Sequence, residues 1–282
     1  MNLTILIHCQ DQSGIIHNVT GFISRNEGNV IYLDQHVDKQ AGVFFMRLES
    51  EFISEINVET FKSQFSQELA ERYGMEWSIH LGGDKPKMAI FVSKYNHCLY
   101  DLLSRYHSGE LLVDIPFILS NHKDLGNIAQ QFDIPYYHIP VNRENKAEAE
   151  QKQLKLLKEH QVDFIVLARY MQIVSPRIID VFPNKIINIH HSFLPAFAGA
   201  KPYHAAFERG VKIIGATSHY VTEELDAGPI IEQDVTTVSH THSIKDFLAK
   251  GRDLEKIVLS RAVKLHVTHK TMVYNNKTVI FA

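Results

Sequence analysis

Gly82-Gly83-Asp84-Lys85-Pro86-Lys87-Met88-Ala89-Ile90-Phe91-Val92 divides the chain into two different rhythms. The glycines, aspartate and proline of residues 82–86 are turn chemistry and break any periodic element. The unbroken apolar run 88–92 then predicts a strand buried on both faces. Upstream, residues 3–8 (LTILIH) form a β-rich run, and Asp11-Gln12-Ser13-Gly14 is a turn and helix start. Ile15, Ile16, Val19, Phe22 and Ile23 follow at helical spacing. Two strands, 29–33 and 43–48, are joined around Gln40-Ala41-Gly42, then come an amphipathic helix over 58–73 and a strand over 75–81. The order βαββαβ predicts a ferredoxin-like split unit over residues 1–82.

Downstream of a linker at 83–87, strands and helices alternate through a second domain, 88–282. Strands are expected at 88–92, 111–119, 135–139, 163–168 and 185–190, with a further one at 212–221. The longest helix between them is expected at 143–160, where a run of charges reads as a solvated face. Residues 271–282 read as a hairpin turning at Asn275-Asn276. Such βα alternation implies an α/β, Rossmann-like, mainly parallel sheet covered on both faces.

Composition narrows the function. With 282 residues, 29 Lys+Arg and 32 Asp+Glu, the net charge of −3 argues against a nucleic-acid binder or a polybasic membrane binder. The longest uncharged run, 186–200, contains Asn188, His190, His191, Ser192 and Pro195, too short and polar to span a bilayer. The first basic residue is Arg25, so no charged segment precedes the opening apolar run as in a secretory signal. Cys9 and Cys98 stand alone and far apart, which excludes a disulfide framework and a cysteine-type zinc site. A reduced, cytoplasmic protein is expected. Seventeen histidines are a surplus that fits either metal binding or ordinary polar positions.

Ligands of open parallel sheets bind outside the carboxyl ends of the strands. There the fifth strand ends in Asn188-Ile189-His190-His191-Ser192, with Asn188 and His190 on one face and Ile187 and Ile189 on the other. A hydrogen-bonded polar pair in the core fits this pattern equally well. On the next strand Thr217 and His219 share a face, followed by the acidic loop Thr222-Glu223-Glu224-Leu225-Asp226-Ala227-Gly228-Pro229. Asp226 could simply initiate that turn. Asn, His and Asp on neighbouring strand ends are also the parts needed for addition to a carbonyl. A carboxylate holds an imidazolium, and the imidazolium and amide stabilise an oxyanion.

Residues 188–195 (NIHHSFLP), 215–221 (GATSHYV) and 226–231 (DAGPII), in this order, resemble the folate-dependent formyltransferase family. Within it the likeness is to the deformylases that carry an amino-terminal ACT domain, and it spans essentially the whole chain. It implies Asn188, His190 and Asp226 as catalytic residues, with His219 and Ser192 in support. His191 stands where transferases have Pro and deformylases His. Leu167, Met171, Gln172 and Val174 resemble the folate pocket wall, which Glu224 and Leu225 should complete; Gln172 replaces a common Arg.

Relatives that formylate a phosphorylated ribonucleotide have a glycine-containing turn after the first strand, where helix-start N–H groups hold phosphate. Ser93-Lys94-Tyr95-Asn96-His97-Cys98-Leu99 has no glycine there, and its His97-Cys98-Leu99 matches the deformylase pattern; Cys98 is not read as a nucleophile. Methionyl-tRNA formylating relatives add a basic carboxy-terminal domain, which the chain does not show. The resemblance therefore implies hydrolysis of 10-formyltetrahydrofolate to formate and tetrahydrofolate, balancing the one-carbon pool and supplying formate for purine biosynthesis. Transfer to a small amine, or a silent folate- or amino-acid-binding regulator, are the alternatives. The folate is substrate, no cofactor is implied, and no metal is required, since His190 and His191 point to opposite faces. ACT domains typically bind small amino acids where the first strand meets the first helix, here Asp11, Gly14 and Ile15. Glycine or methionine is the expected effector, and pairing of such domains implies a homo-oligomer.

Overall fold

The computed structural model describes residues 1–196 and 202–281 and divides the chain into two units. The first comprises Met1–Asp84 with His269–Met272 and Val279–Ala282. Its elements are β1 (Asn2–Gln10), α1 (Ile15–Arg25), β2 (Gly28–Asp38), β3 (Val43–Phe52), α2 (Val58–Phe65), a π turn (Ser66–Ala70), α3 (Glu71–Tyr73) and β4 (Glu76–Leu81). The sheet order is β2-β3-β1-β4, antiparallel throughout. Leu3, Ile5 and Ile7 alternate along β1 into a core shared with Val19, Phe22 and Phe65. The helix expected over 58–73 forms, with one π turn in its middle.

β2 and β3 run longer than their apolar centres suggest. The Asp38 carboxylate accepts the backbone N–H groups of Gln40 and Ala41, and Gly42 takes a left-handed φ of 66°. This closes a turn tight enough to keep Asp38 opposite Val43, so pairing continues to the very end of both strands.

The second unit comprises Lys85–Thr268 and Val273–Thr278. In chain order it holds β5 (Met88–Val92), α4 (His97–His107), β6 (Ile118–Ser120), α5 (Gly126–Gln131), β7 (Tyr136–His138) and α6 (Lys146–Glu159). Then come β8 (Phe164–Leu167), α7 (Pro176–Ile179), β9 (Ile186–His190), α8 (Pro202–Arg209), β10 (Ile213–Tyr220), β11 (Ile230–Thr237) and α9 (Ile244–Val267). A terminal hairpin, β12 (Thr271–Tyr274) and β13 (Lys277–Ile280), turns at Asn275 and Asn276, both at positive φ. The sequence reading placed all of 88–282 in one domain, whereas this hairpin is divided between the two units.

The seven-stranded sheet has the order β11-β10-β9-β8-β5-β6-β7. β5 to β9 are parallel; β10 runs antiparallel to both β9 and β11. Alternate residues of β5 serve two cores. Met88, Ile90 and Val92 pack with Leu259 and Val263 of α9 on one face, and Ala89 and Phe91 with Leu157 of α6 on the other. That two-sided burial is why β5 is apolar without interruption.

Three expectations need correcting. The strand expected at 111–119 is reduced to Ile118–Ser120; Leu111, Val113 and Ile115 are buried, but residues 111–117 make only a single bridge, Asp114 to Lys87. Pro116 has no N–H to give a ladder there. β11 was not foreseen, because an edge strand carrying Glu232, Gln233 and Asp234 has little apolar alternation. Nor was α9, which at 24 residues is the longest helix and displaces 143–160 from that rank. Its start is marked by a capping box between Ser243 and Asp246. Among the described residues no helix is long and apolar enough to cross a membrane.

Phe91, fully buried in the face packed by α6, is expected to cost about 3–5 kcal/mol when truncated to Ala. Ile53→Ala, at a fully exposed site, should stay within about 0.5 kcal/mol. Urea unfolding midpoints of both variants check this.

Candidate active site

β9 alternates as its sequence requires: Ile187 and Ile189 enter the core, while Asn188 and His190 face the other way at the strand's carboxyl end. Antiparallel β10 sets His219 opposite Asn188 and Thr217 opposite His190. His219 Nδ1 donates to the Tyr220 carbonyl at 2.9 Å, so its Nε2 is the acceptor for the Asn188 amide Nδ2 at 3.1 Å. This contact fixes which end of the Asn188 amide faces outward. The hydroxyl of Thr217 donates to the Ser192 carbonyl at 2.8 Å and accepts from the Leu194 amide at 3.0 Å, tying down the chain beyond β9.

Asp226 reaches this pair from the loop between β10 and β11. Gly228 makes that possible, since a Cβ there would stand 1.9 Å from the Tyr220 carbonyl oxygen. Asp226 itself is left-handed at φ 56°, and the Asn276 amide Nδ2 holds the neighbouring Ala227 carbonyl at 2.9 Å. Its Oδ2 lies 3.3 Å from His190 Nδ1 and its Oδ1 3.7 Å from His219 Nε2. The hydrogen bond from His190, with a smaller contribution from nearby His219, holds the Asp226 carboxyl well below the usual carboxylate range against the opposing effect of burial. His190 is nearly fully buried, and its Nε2 has no hydrogen-bond partner.

These three side chains open on a cavity of about 740 Å³. All of Leu167, Met171, Gln172, Val174, Glu224 and Leu225 line it, and Met171 and Leu225 leave apolar surface exposed to it. The loop after β8 is braced from behind: the Ser93 hydroxyl accepts the Met171 N–H at 2.9 Å and donates to Asn121 at 2.7 Å. Glu150 of α6 accepts both the N–H and the hydroxyl of Ser175 at the loop's far end. Burial pushes the Tyr170 phenol up to about 12, with Gln153 Nε2 donating to its oxygen. Ser192 is not in the cavity wall; it is buried, and its carbonyl rather than its hydroxyl is engaged.

Arg169 and His191 line the cavity too, and the sequence reading assigned neither a role in binding. Arg169 is signalled in the structure by a left-handed φ of 64°, uncommon for a long side chain. A separate cluster, His97, Cys98 and Glu255, is the grouping with metal-ligand spacing among the described residues. Burial pushes the Cys98 thiol well up, and Glu255 is already paired with Arg169 Nη1 at 3.1 Å, so this donor set suits an internal ion-pair network. In the first unit, Asp11 is exposed, Gly14 is left-handed at φ 89°, and the Ile15 side chain lies inside the core.

Comparison with known proteins agrees with this geometry. The ACT domain family matches residues 3–59 and the Formyl transferase family residues 86–263. The chain is 51% identical to formyltetrahydrofolate deformylase of Synechocystis sp., covering 100% of this chain and 99% of that protein. It is 44% identical to the Bacillus subtilis deformylase, covering 98% and 93%. A solved formyltetrahydrofolate deformylase from Pseudomonas syringae superposes with a TM-score of 0.97 at 45% identity, covering 100% of this chain and 94% of that one. Phosphoribosylglycinamide formyltransferase of Anaplasma phagocytophilum matches less of the chain, 71%, with a TM-score of 0.64 and 30% identity. With relatives of this similarity along its whole length, the chain belongs to the formyltetrahydrofolate deformylase family.

Proposed function

We propose that the chain hydrolyses 10-formyltetrahydrofolate to formate and tetrahydrofolate, with Asn188, His190 and Asp226 carrying the chemistry. The observation that carries this reading is the unpartnered Nε2 of His190, held beside Asn188 at the edge of the cavity by the Asp226 carboxylate. Because Asp226 accepts from His190 Nδ1, Nε2 is the nitrogen left to the substrate. Asn188 spends one amide N–H on His219 and keeps the second for the formyl oxygen.

The Asp226–His190 pair takes a proton from the attacking water, and the imidazolium so formed is stabilised by the adjacent carboxylate. Imidazolium and Asn188 amide together hold the tetrahedral oxyanion until N10 leaves. The apolar wall at Met171 and Leu225 suits the flat pterin, and Gln172 and Glu224 border it with polar groups. The formate released feeds purine biosynthesis in the cytoplasm, and the tetrahydrofolate returns to the one-carbon pool.

The first unit is the regulatory part of this reading. At the β1–α1 junction, Asp11, Gly14 and Ile15 offer a helix start and a backbone bared by glycine, suited to the carboxylate of glycine or methionine. The effector acts within a homo-oligomer paired through these units.

Asn188→Ala should lower kcat by roughly 10²–10³-fold, as expected for loss of an oxyanion donor. Asp226→Asn should lower it by roughly 10²–10⁴-fold. Both are read from formate and tetrahydrofolate released without any amine present, and near-wild-type formate from either variant would remove that residue from the mechanism. Since the folded-state pKa of Asp226 is depressed, its contribution to stability is present above an ordinary aspartate pKa, about 3.9, and is lost as pH falls below that value. The gap in unfolding midpoint between wild type and Asp226→Asn should therefore narrow as pH falls below about 4. Calorimetric titration should show glycine or methionine binding that is lost in Gly14→Val, because valine cannot adopt the φ of 89°.

A further inference from the structure

The turn of the terminal hairpin carries one side chain more than a turn needs. β12 and β13 are paired and joined by Asn275 and Asn276 alone, at φ 45° and 57°. Positive φ at both central residues is the mark of a type I′ turn, whose favoured sequences place glycine second, as in Asn-Gly and Asp-Gly. Asparagine tolerates the left-handed region, but glycine enters it without steric cost. Turn chemistry therefore accounts for Asn275 and leaves the side chain of Asn276 without a reason inside the hairpin.

That side chain reaches out of the hairpin. Its Nδ2 donates to the Ala227 carbonyl at 2.9 Å, across 49 residues of sequence. The acceptor is a carbonyl, so the amide nitrogen and not the amide oxygen must face it. The tip of the hairpin, Val273–Thr278, belongs to the same unit as the catalytic cavity, and Val273 packs against the core that α9 shares with β5. The bond thus runs from a packed element to a loop.

The loop has weak closure of its own. Asp226 is left-handed at φ 56°, and the Ala227 N–H reaches the Glu224 carbonyl at 3.4 Å, beyond the usual range for such a bond. The Asn276 bond lands one residue from Asp226, on the peptide that enters Gly228. Rotation of that peptide would swing the Asp226 carboxylate relative to His190 Nδ1, 3.3 Å away.

We propose that Asn276 is a positioning residue for hydrolysis: its amide holds the left-handed turn so that the Asp226 carboxylate stays on His190 Nδ1. Asn276 does not line the cavity, and it acts through Ala227. This role rests on the reading of Asp226 as catalytic.

The test is steady-state formate release by Asn276→Gly, for which a turn residue and a positioning residue give opposite outcomes. As Asn-Gly the turn meets the type I′ preference, so the hairpin keeps its shape and the unfolding midpoint should not fall. With the amide gone, kcat should drop about three- to tenfold, the share of one exposed hydrogen bond, while KM stays within about twofold. Asn276→Asp keeps a side chain that tolerates left-handed φ but offers no N–H, and should lower kcat at least as far. It separates loss of the donor from the added backbone freedom of glycine. In an Asp226→Asn background, Asn276→Gly should cost nothing further, because the amide acts only through that carboxylate. Wild-type kcat in either single variant would overturn the proposal and leave hydrolysis and Asp226 in place. So would a loss shared equally by KM, or one that multiplies with the loss in Asp226→Asn, since either marks a general disturbance of the loop. Near-wild-type turnover by Asp226→Asn itself would overturn the catalytic reading of Asp226, and the positioning role with it.

Discussion

The close approach of Gly228 to the Tyr220 carbonyl is the constraint on which the catalytic geometry depends. Antiparallel pairing sets Tyr220, the last residue of β10, level with Ile187 of β9. His190 lies three residues further along, about 10 Å away at the rise of a strand. The chain leaving β10 must therefore double back along its own strand to bring Asp226 to His190. Only a residue without a Cβ can pass the Tyr220 oxygen at that distance, and the Tyr220 N–H bonded to the Pro229 carbonyl at 2.9 Å locks the pass. The left-handed turn at Asp226 completes the reversal. The carboxylate is delivered by backbone sterics, and the hydrogen bond with His190 then keeps it ionised.

The reversal of β10 has a second effect. The parallel strands β5, β8 and β9 are covered on both faces, by α9 and α4 on one side and α6 on the other, so their ends alone are available for chemistry. By turning antiparallel, β10 places His219 beside Asn188 instead of adding another strand end. The orientation of the Asn188 amide is thereby set by a histidine whose own ring orientation is set by a backbone carbonyl. Beyond this pair, His190 Nε2 is buried without a hydrogen-bond partner.

Much of this was legible in the sequence where period and turn chemistry agree. The break at Gly82 to Pro86, the two-sided strand at 88–92, and the alternation of Asn188 and His190 with Ile187 and Ile189 each state a geometry directly. The six residues read as pocket wall all line the cavity. Where the reading went astray, apolar content was mistaken for pairing or its lack for a loop. Residues 111–117 bury Leu111, Val113 and Ile115 without a ladder, and β11 pairs along its full length while carrying Glu232, Gln233 and Asp234. Asp226 was ambiguous for a physical reason: a turn-forming aspartate and a catalytic one look alike in sequence, and here the residue proposed for catalysis also turns the chain at a positive φ. Ser192 lies outside the cavity wall, its side chain buried and its carbonyl held by the Thr217 hydroxyl.

The element least visible in the sequence, α9, is the one that joins packing to chemistry. Val258, Leu259, Ala262 and Val263 bury one stretch of it against the sheet, which fixes its axis and its rotation. With that rotation fixed, Gly251 and Glu255, four residues apart and so on one face, are both turned toward α8 and the loop after β8. A glycine in a helix interior weakens the local helix through backbone freedom, and a buried glutamate there carries the cost of desolvating a charge. Both lapses from helix-building rules occur on the face that meets Tyr203 and Arg169, and neither is needed for the packing of α9 on the sheet. A helix whose task was only to cover β5 and β9 would not carry them. Through Glu255 the helix that packs the sheet also ties α8 and the loop after β8 to it.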